Sequence, residues 1–142
     1  MALVVMRDSE IFRIDRLRLD GRHRTPEALA GVIAAVCSQY AVEVIVIEPG
    51  TLIEVAASAL DLGIETVSLE AAWQEFGRST AVQSNVDLCA ELIAEYPRLS
   101  RFVGRLPAKG PIPAADRRRM VTLLAVAIGL TATRLSERSA TN

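Results

Sequence analysis

Apolar and polar positions follow two periods along this chain, and the changes of period mark out its elements. Leu3 to Met6 and Ile11 to Leu19 read as strands flanking the turn Arg7-Asp8-Ser9-Glu10. Strict alternation in the second puts Ile11, Arg13, Asp15, Leu17 and Leu19 on one face and Phe12, Ile14, Arg16 and Arg18 on the other. That predicts a half-exposed antiparallel hairpin whose charges blunt its outer edge. Asp20 to Arg24 reads as a loop and holds His23, the single histidine. The period then becomes helical. Thr25 as N-cap, Pro26 at the first helical position and Glu27 near the positive end of the dipole open a helix. Leu29, Val32, Ile33, Val36 and Cys37 supply its apolar stripe.

Val42 to Ile47 is a nearly unbroken β-branched run, the mark of a strand covered on both faces. It ends on Glu48, and Pro49-Gly50 turns the chain. In open α/β sheets, sites gather beyond the carboxyl ends of strands, which makes Glu48 a candidate site residue. The plainer expectation is that its carboxylate caps the helix beginning near Leu52. Leu52 to Leu62 is predicted helical with Gly63 as C-cap, and Ile64 to Leu69 as a further strand. Short and longer helices follow at Ala71–Phe76 and Ala81–Tyr96. Residues 98–113 form a basic, Gly- and Pro-containing loop of unusual length. The last helix is expected over Arg117–Leu135, with Met120–Leu130 apolar all round and deeply buried, and 136–142 as a frayed tail. Helix, strand, helix and strand after a hairpin imply an α/β fold with parallel crossovers.

Length and composition narrow this further. The 142 residues suit one domain spanning 1–142, with a core of Ala, Val, Leu and Ile rather than aromatics. No apolar run reaches the ~18 residues of a membrane helix, and the N-terminal apolar run is too short for a signal peptide. A cytoplasmic location with no membrane partner is therefore expected. Cys37 and Cys89 have neither metal nor redox spacing and read as reduced core residues.

The net charge of −1 conceals a strong polarity. Between Glu43 and Glu95 there are ten acids and one base, Arg78. Between Arg98 and Arg119 there are seven bases (Arg98, Arg101, Arg105, Lys109, Arg117, Arg118 and Arg119) against Asp116 alone. Arg117, Arg118 and Arg119 stand where a helix begins, so they oppose its macrodipole and do not serve local stability. They are candidate contacts to DNA or RNA phosphate.

Val46-Ile47-Glu48, the helix-to-strand passage Ala56–Leu69 and the Leu-Leu-Ala-Val-Ala-Ile core within Asp116–Leu130 together resemble the ribonuclease H-like superfamily, and within it the RuvC-type Holliday-junction resolvases. The resemblance implies a mixed sheet, an N-terminal antiparallel hairpin followed by parallel strands, flanked by helices. In that family carboxylates hold two divalent ions, Mg²⁺ or Mn²⁺, which activate water and stabilise the leaving oxygen. Glu48 matches the glutamate on the middle strand. Leu3–Met6 carries no acid where the family has its first aspartate, and Leu124 stands where the last helix should carry one. Asp116 lies roughly 12 Å away along the helix axis at 1.5 Å per residue. The resemblance thus implies the fold while the acids argue against the activity.

Three readings remain open. The first is a catalytically inactive ribonuclease H-like module that binds nucleic acid or protein through 98–119. The second is an active nuclease using Glu48 and Asp116, with Asp8 or Asp15. The third is a homo-oligomeric structural subunit in which acidic and basic stretches are complementary. A dinucleotide or P-loop nucleotide domain is disfavoured, because neither glycine-rich motif is present.

Overall fold

The computed structural model describes residues 1–7, 10–16, 25–77, 82, 84–100 and 114–141, without the side chains of 12, 16 and 114–116. The predictions made for Asp8, for 17–24 including His23, and for Arg101, Arg105 and Lys109 fall outside the described residues. The chain is mixed α/β, in the order β1 (Ala2–Arg7), β2 (Glu10–Arg16), α1 (Pro26–Tyr40), β3 (Val44–Ile47), α2 (Leu52–Ala57), β4 (Gly63–Thr66), α3 (Leu69–Phe76), α4 (Asn85–Glu95), a 3₁₀ turn (Pro97–Leu99) and α5 (Ala114–Thr141). Its contacts divide it into two compact units, Met1–Leu17 with Leu69–Asn142 (unit 1) and Arg18–Ser68 (unit 2).

In unit 1 the hairpin forms as expected, β1 antiparallel to β2, but with a slip of register. Val5 pairs with Arg13 and Met6 with Ile11, so Phe12 is an extra residue bulged out of the ladder. The bulge overturns the strict face assignment. Ile14 opposite Val4 and Ile11 opposite Met6 both pack on the core, although they are three residues apart. β1 lies against α5, the central helix, with α3 and α4 packed on the same helix. Leu123, Val126, Ala127 and Leu130 of α5 meet Ala72, Phe76, Leu88, Cys89 and Leu92 in one apolar cluster. The Met6 thioether passes so close to Gly129 that a Cβ there would meet Sδ at 2.7 Å.

α5 also departs from expectation in two ways. It is helical from Ala114 to Thr141, so the residues expected to fray, 136–141, are ordered turns of helix. Its apolar centre is not buried all round, since Val121 is 47% exposed. Thr122 and Thr131 are fully buried but satisfied, their hydroxyls donating to the carbonyls of Arg118 (3.3 Å) and Ala127 (2.7 Å) one turn back. Within α5, Arg117–Thr141 is long and apolar enough to cross a membrane by length and composition, with 44% of its most apolar window buried in the fold. The core helix of a globular unit passes the same test.

Unit 2 is built from neighbours in sequence. Thr25 caps α1, its hydroxyl accepting from the Ala28 N–H at 3.2 Å, and Leu29 and Ile33 are the buried stripe. The left-handed cap that ends α1 is an alanine, Ala41 at φ 52°, not a glycine. β3 pairs in parallel with β4, Val44 opposite Gly63 through Ile47 opposite Thr66. Gly63 is therefore the start of a strand and not a helix cap, and its N–H donates to the Glu43 carbonyl at 3.3 Å. α2 stops at Ala57, five residues short of the predicted end, because the following amides turn back three residues: Ala59 to Ala56 (3.3 Å) and Leu60 to Ala57 (2.9 Å).

The sequence predicts one mixed sheet of hairpin and parallel strands. Among the described residues there are instead two separate two-stranded sheets, β1–β2 and β3–β4, one in each unit. The physical reason is that the hairpin commits its apolar face to α5, while β3 and β4 are joined by α2 and packed locally with it.

Candidate functional site

Three features could hold chemistry, and they differ in how their charges are met. The first is the turn after β3. Ile47 is buried and its carbonyl accepts from the Val67 N–H at 2.9 Å, which fixes the strand end. Glu48 follows, half-buried, and its backbone carbonyl accepts from the Thr51 hydroxyl at 3.0 Å. Gly50 sits at φ 78°, a left-handed turn position that glycine takes without strain. Thr51 is the N-cap of α2, accepting from the Glu54 N–H at 3.2 Å, and Glu54 Oε1 reaches back to accept from the Gly50 N–H at 3.1 Å. This is close to a reciprocal capping box, and it corrects the expectation that the Glu48 carboxylate caps the helix. The signal was present in the sequence as Thr51-x-x-Glu54.

The carboxylate cluster of a two-metal nuclease does not assemble from what is described. Among the described residues, no three of His, Cys, Asp and Glu converge as a ligand set. The Asp116 side chain lies outside the described residues, and Asp15 is engaged with Arg13 Nε at 2.9 Å. The described residues do not fit a pair of divalent ions, so no step through Mg²⁺ or Mn²⁺ follows from them.

The second feature was missed in the sequence and is a polar constellation among the described residues of unit 1. Arg134 and Arg138, one turn apart on α5, reach acids on α3 and α4. Arg134 Nη2 pairs with Glu95 and donates to the Tyr96 hydroxyl at 2.8 Å, while its Nη1 stands 3.8 Å from Glu75 Oε1. The guanidinium carbon lies 4.5 Å from the centroid of the Phe76 ring and 5.9 Å from that of Tyr96. Arg138 pairs with the other oxygen of Glu75, whose side chain is only 9% exposed. Burial works against the charge on Arg134, yet the hydrogen bonds and charges of Tyr96 and Glu95 outweigh it and push its pKa further up. Beside this cluster the Trp73 indole N–H donates to Asn85 Oδ1 at 3.0 Å, tying α3 to α4. Two arginines spaced i, i+4 in an otherwise apolar helix were the available clue.

The basic stretch is met differently. Arg98 follows Pro97 in the 3₁₀ turn, Arg117 and Arg118 lie in the second turn of α5, and all three are exposed. They have no ion-pair partner among the described residues. Arg119 is half-buried and engaged. The third feature is an open groove of about 350 Å³ in unit 2, lined by Ala34, Cys37, Val42, Leu60 and Leu62, with Asp61 on its wall. Cys37 contributes a thiol whose pKa burial raises, which disfavours the nucleophilic thiolate.

No protein family model, no curated protein and no solved structure matches the chain.

Proposed function

We propose that the chain is a non-catalytic binding and assembly module on an α/β scaffold, in which the stretch 98–119 meets nucleic-acid phosphate. One observation carries this reading: the partition of the arginines. Arg134 and Arg138 are consumed by Glu75 and Glu95 within unit 1, whereas Arg98, Arg117 and Arg118 stand exposed and without an ion pair among the described residues. Cations kept near the positive end of a helix dipole cost stability, and a polyanion outside the chain supplies the compensating charge. A solitary strand-end carboxylate, Glu48, with no convergent acid cluster among the described residues favours adhesion over hydrolysis.

Fluorescence anisotropy with labelled duplex DNA, a four-way junction and an RNA hairpin, from about 50 to 500 mM salt, tests the reading. Affinity should fall steeply with salt. Replacing Arg117, Arg118 and Arg119 together with alanine should flatten the slope of log K against log salt by about 2–3. No binding at about 50 mM salt to any of the three ends the proposal. Mg²⁺- or Mn²⁺-dependent cleavage that disappears in Glu48→Gln replaces it with the nuclease reading.

A further inference from the structure

The described part of unit 2, residues 25–68, contains six acids and not one Lys or Arg. None of these acids takes part in the Arg134 cluster, and four of them, Glu27, Glu43, Asp61 and Glu65, are exposed. Of these, Asp61 lines the apolar groove, and Glu43 follows its lining residue Val42 in the chain. The start of α5 carries the converse pattern. Val121 is 47% exposed and lies three and four residues beyond Arg118 and Arg117, so an aliphatic side chain projects from the same helix face as two exposed cations.

We propose that the acid-rimmed groove of unit 2 receives the Arg117–Arg118–Val121 face of α5 from a second copy of this chain. The groove supplies apolar wall for Val121, and Glu43 and Asp61 supply the charges that steer and orient the two arginines. Donor and acceptor are different surfaces, so the contact is heterologous: each copy can give one end and receive at the other, and association continues head to tail. The acidic stretch as a whole is not the complementary surface. Glu75 and Glu95 are already paired inside unit 1 and are not part of that half.

Arg117 and Arg118 also belong to the proposed nucleic-acid surface, and the two roles are told apart because association is measured with no nucleic acid present. Sedimentation velocity of the full chain at about 50 mM salt should give a mass that grows with protein concentration and falls back toward the monomer at about 500 mM. Two charge-reversal variants sharpen the test, E43K/D61K in the groove rim and R117E/R118E on the helix. All four residues are exposed, so both variants should keep the wild-type circular dichroism spectrum. Each alone should be monomeric at low salt. An equimolar mixture should associate again, because the intact donor of one variant meets the intact acceptor of the other, and the two reversed faces are opposite in charge as well. A wild-type chain that stays monomeric at every concentration overturns the proposal. So does association that survives either reversal, or a mixture that fails to pair while the wild type associates. Should a reversal variant lose its fold, V121D alone, on an exposed position, replaces it as the donor-side variant.

Discussion

The two units solve the same problem, burying an apolar core, by opposite routes. Unit 1 gathers segments from both ends of the chain around α5, and its charged residues reach across long sequence separations, Arg134 to Glu95 and Arg138 to Glu75. Unit 2 is assembled from consecutive elements, closed by caps that span three or four residues, and its described charges are all of one sign. The first ties some of its charges into cross-helix ion pairs, and in the second the acids Glu27, Glu43, Asp61 and Glu65 are exposed. A net charge of −1 thus hides a local imbalance, the described residues of unit 2 being acidic only, which is why whole-chain charge says little about what either surface binds.

The largest expected effect tests the claim that unit 1 depends on α5. Leu123 is fully buried in its central cluster, and Leu123→Ala should cost about 3 kcal/mol in urea unfolding followed by Trp73, the only tryptophan and a member of that unit. An equally deep substitution in unit 2, Ile33→Ala, should leave the Trp73 environment unchanged in the native spectrum.

The cysteines sharpen the contrast next. Burial pushes the Cys89 thiol up to about 12 from an ordinary 9.0. The unfolded chain therefore releases this proton first, and stability should fall from about pH 9 upward by about 1 kcal/mol per pH unit. Cys89→Ala should flatten that fall more than Cys37→Ala, whose thiol is shifted in the same direction but only half-buried. In the native protein a thiol reagent should modify the half-buried Cys37 slowly, and Cys89 only on unfolding.

A smaller effect is expected at the ion-pair cluster. Glu75→Gln leaves Arg138 without its carboxylate and weakens the hold on Arg134, and should cost about 1–2 kcal/mol, less at high salt because both arginines are partly exposed. The last turns of α5 should lose amide-exchange protection first; unchanged protection over 136–141 would show that the helix end needs no such anchor. Smallest of all, and opposite in sign, Ala41→Gly should stabilise unit 2 by about 0.5–1 kcal/mol in thermal unfolding, by relieving a left-handed alanine.

Sequence by itself determined the elements whose determinants lie within a few residues. Thr25-Pro26 started α1 where it was expected, Arg7 and Glu10 paired at the end of the hairpin, and Pro49-Gly50 turned the chain after β3, which ends at Ile47, one residue before the expected Glu48. The caps Thr51-x-x-Glu54 and Ser84-x-x-Asp87 are equally local, and they correct the expected Glu48 cap and the helix start expected at Ala81. Only the tertiary structure decided the rest. Alternation could not foresee that a bulge at Phe12 brings Ile11 and Ile14 to one face, because the advantage of the bulge comes from a helix more than a hundred residues away in the chain. It could not separate the two sheets, since a strand's apolar pattern says that it is covered but not by what. Nor could it keep 136–141 helical, which polar composition disfavours and the Arg138–Glu75 pair from α3 supports. Caps and turns are fixed by hydrogen bonds between near neighbours, whereas partners are fixed by which surfaces meet after the chain has folded.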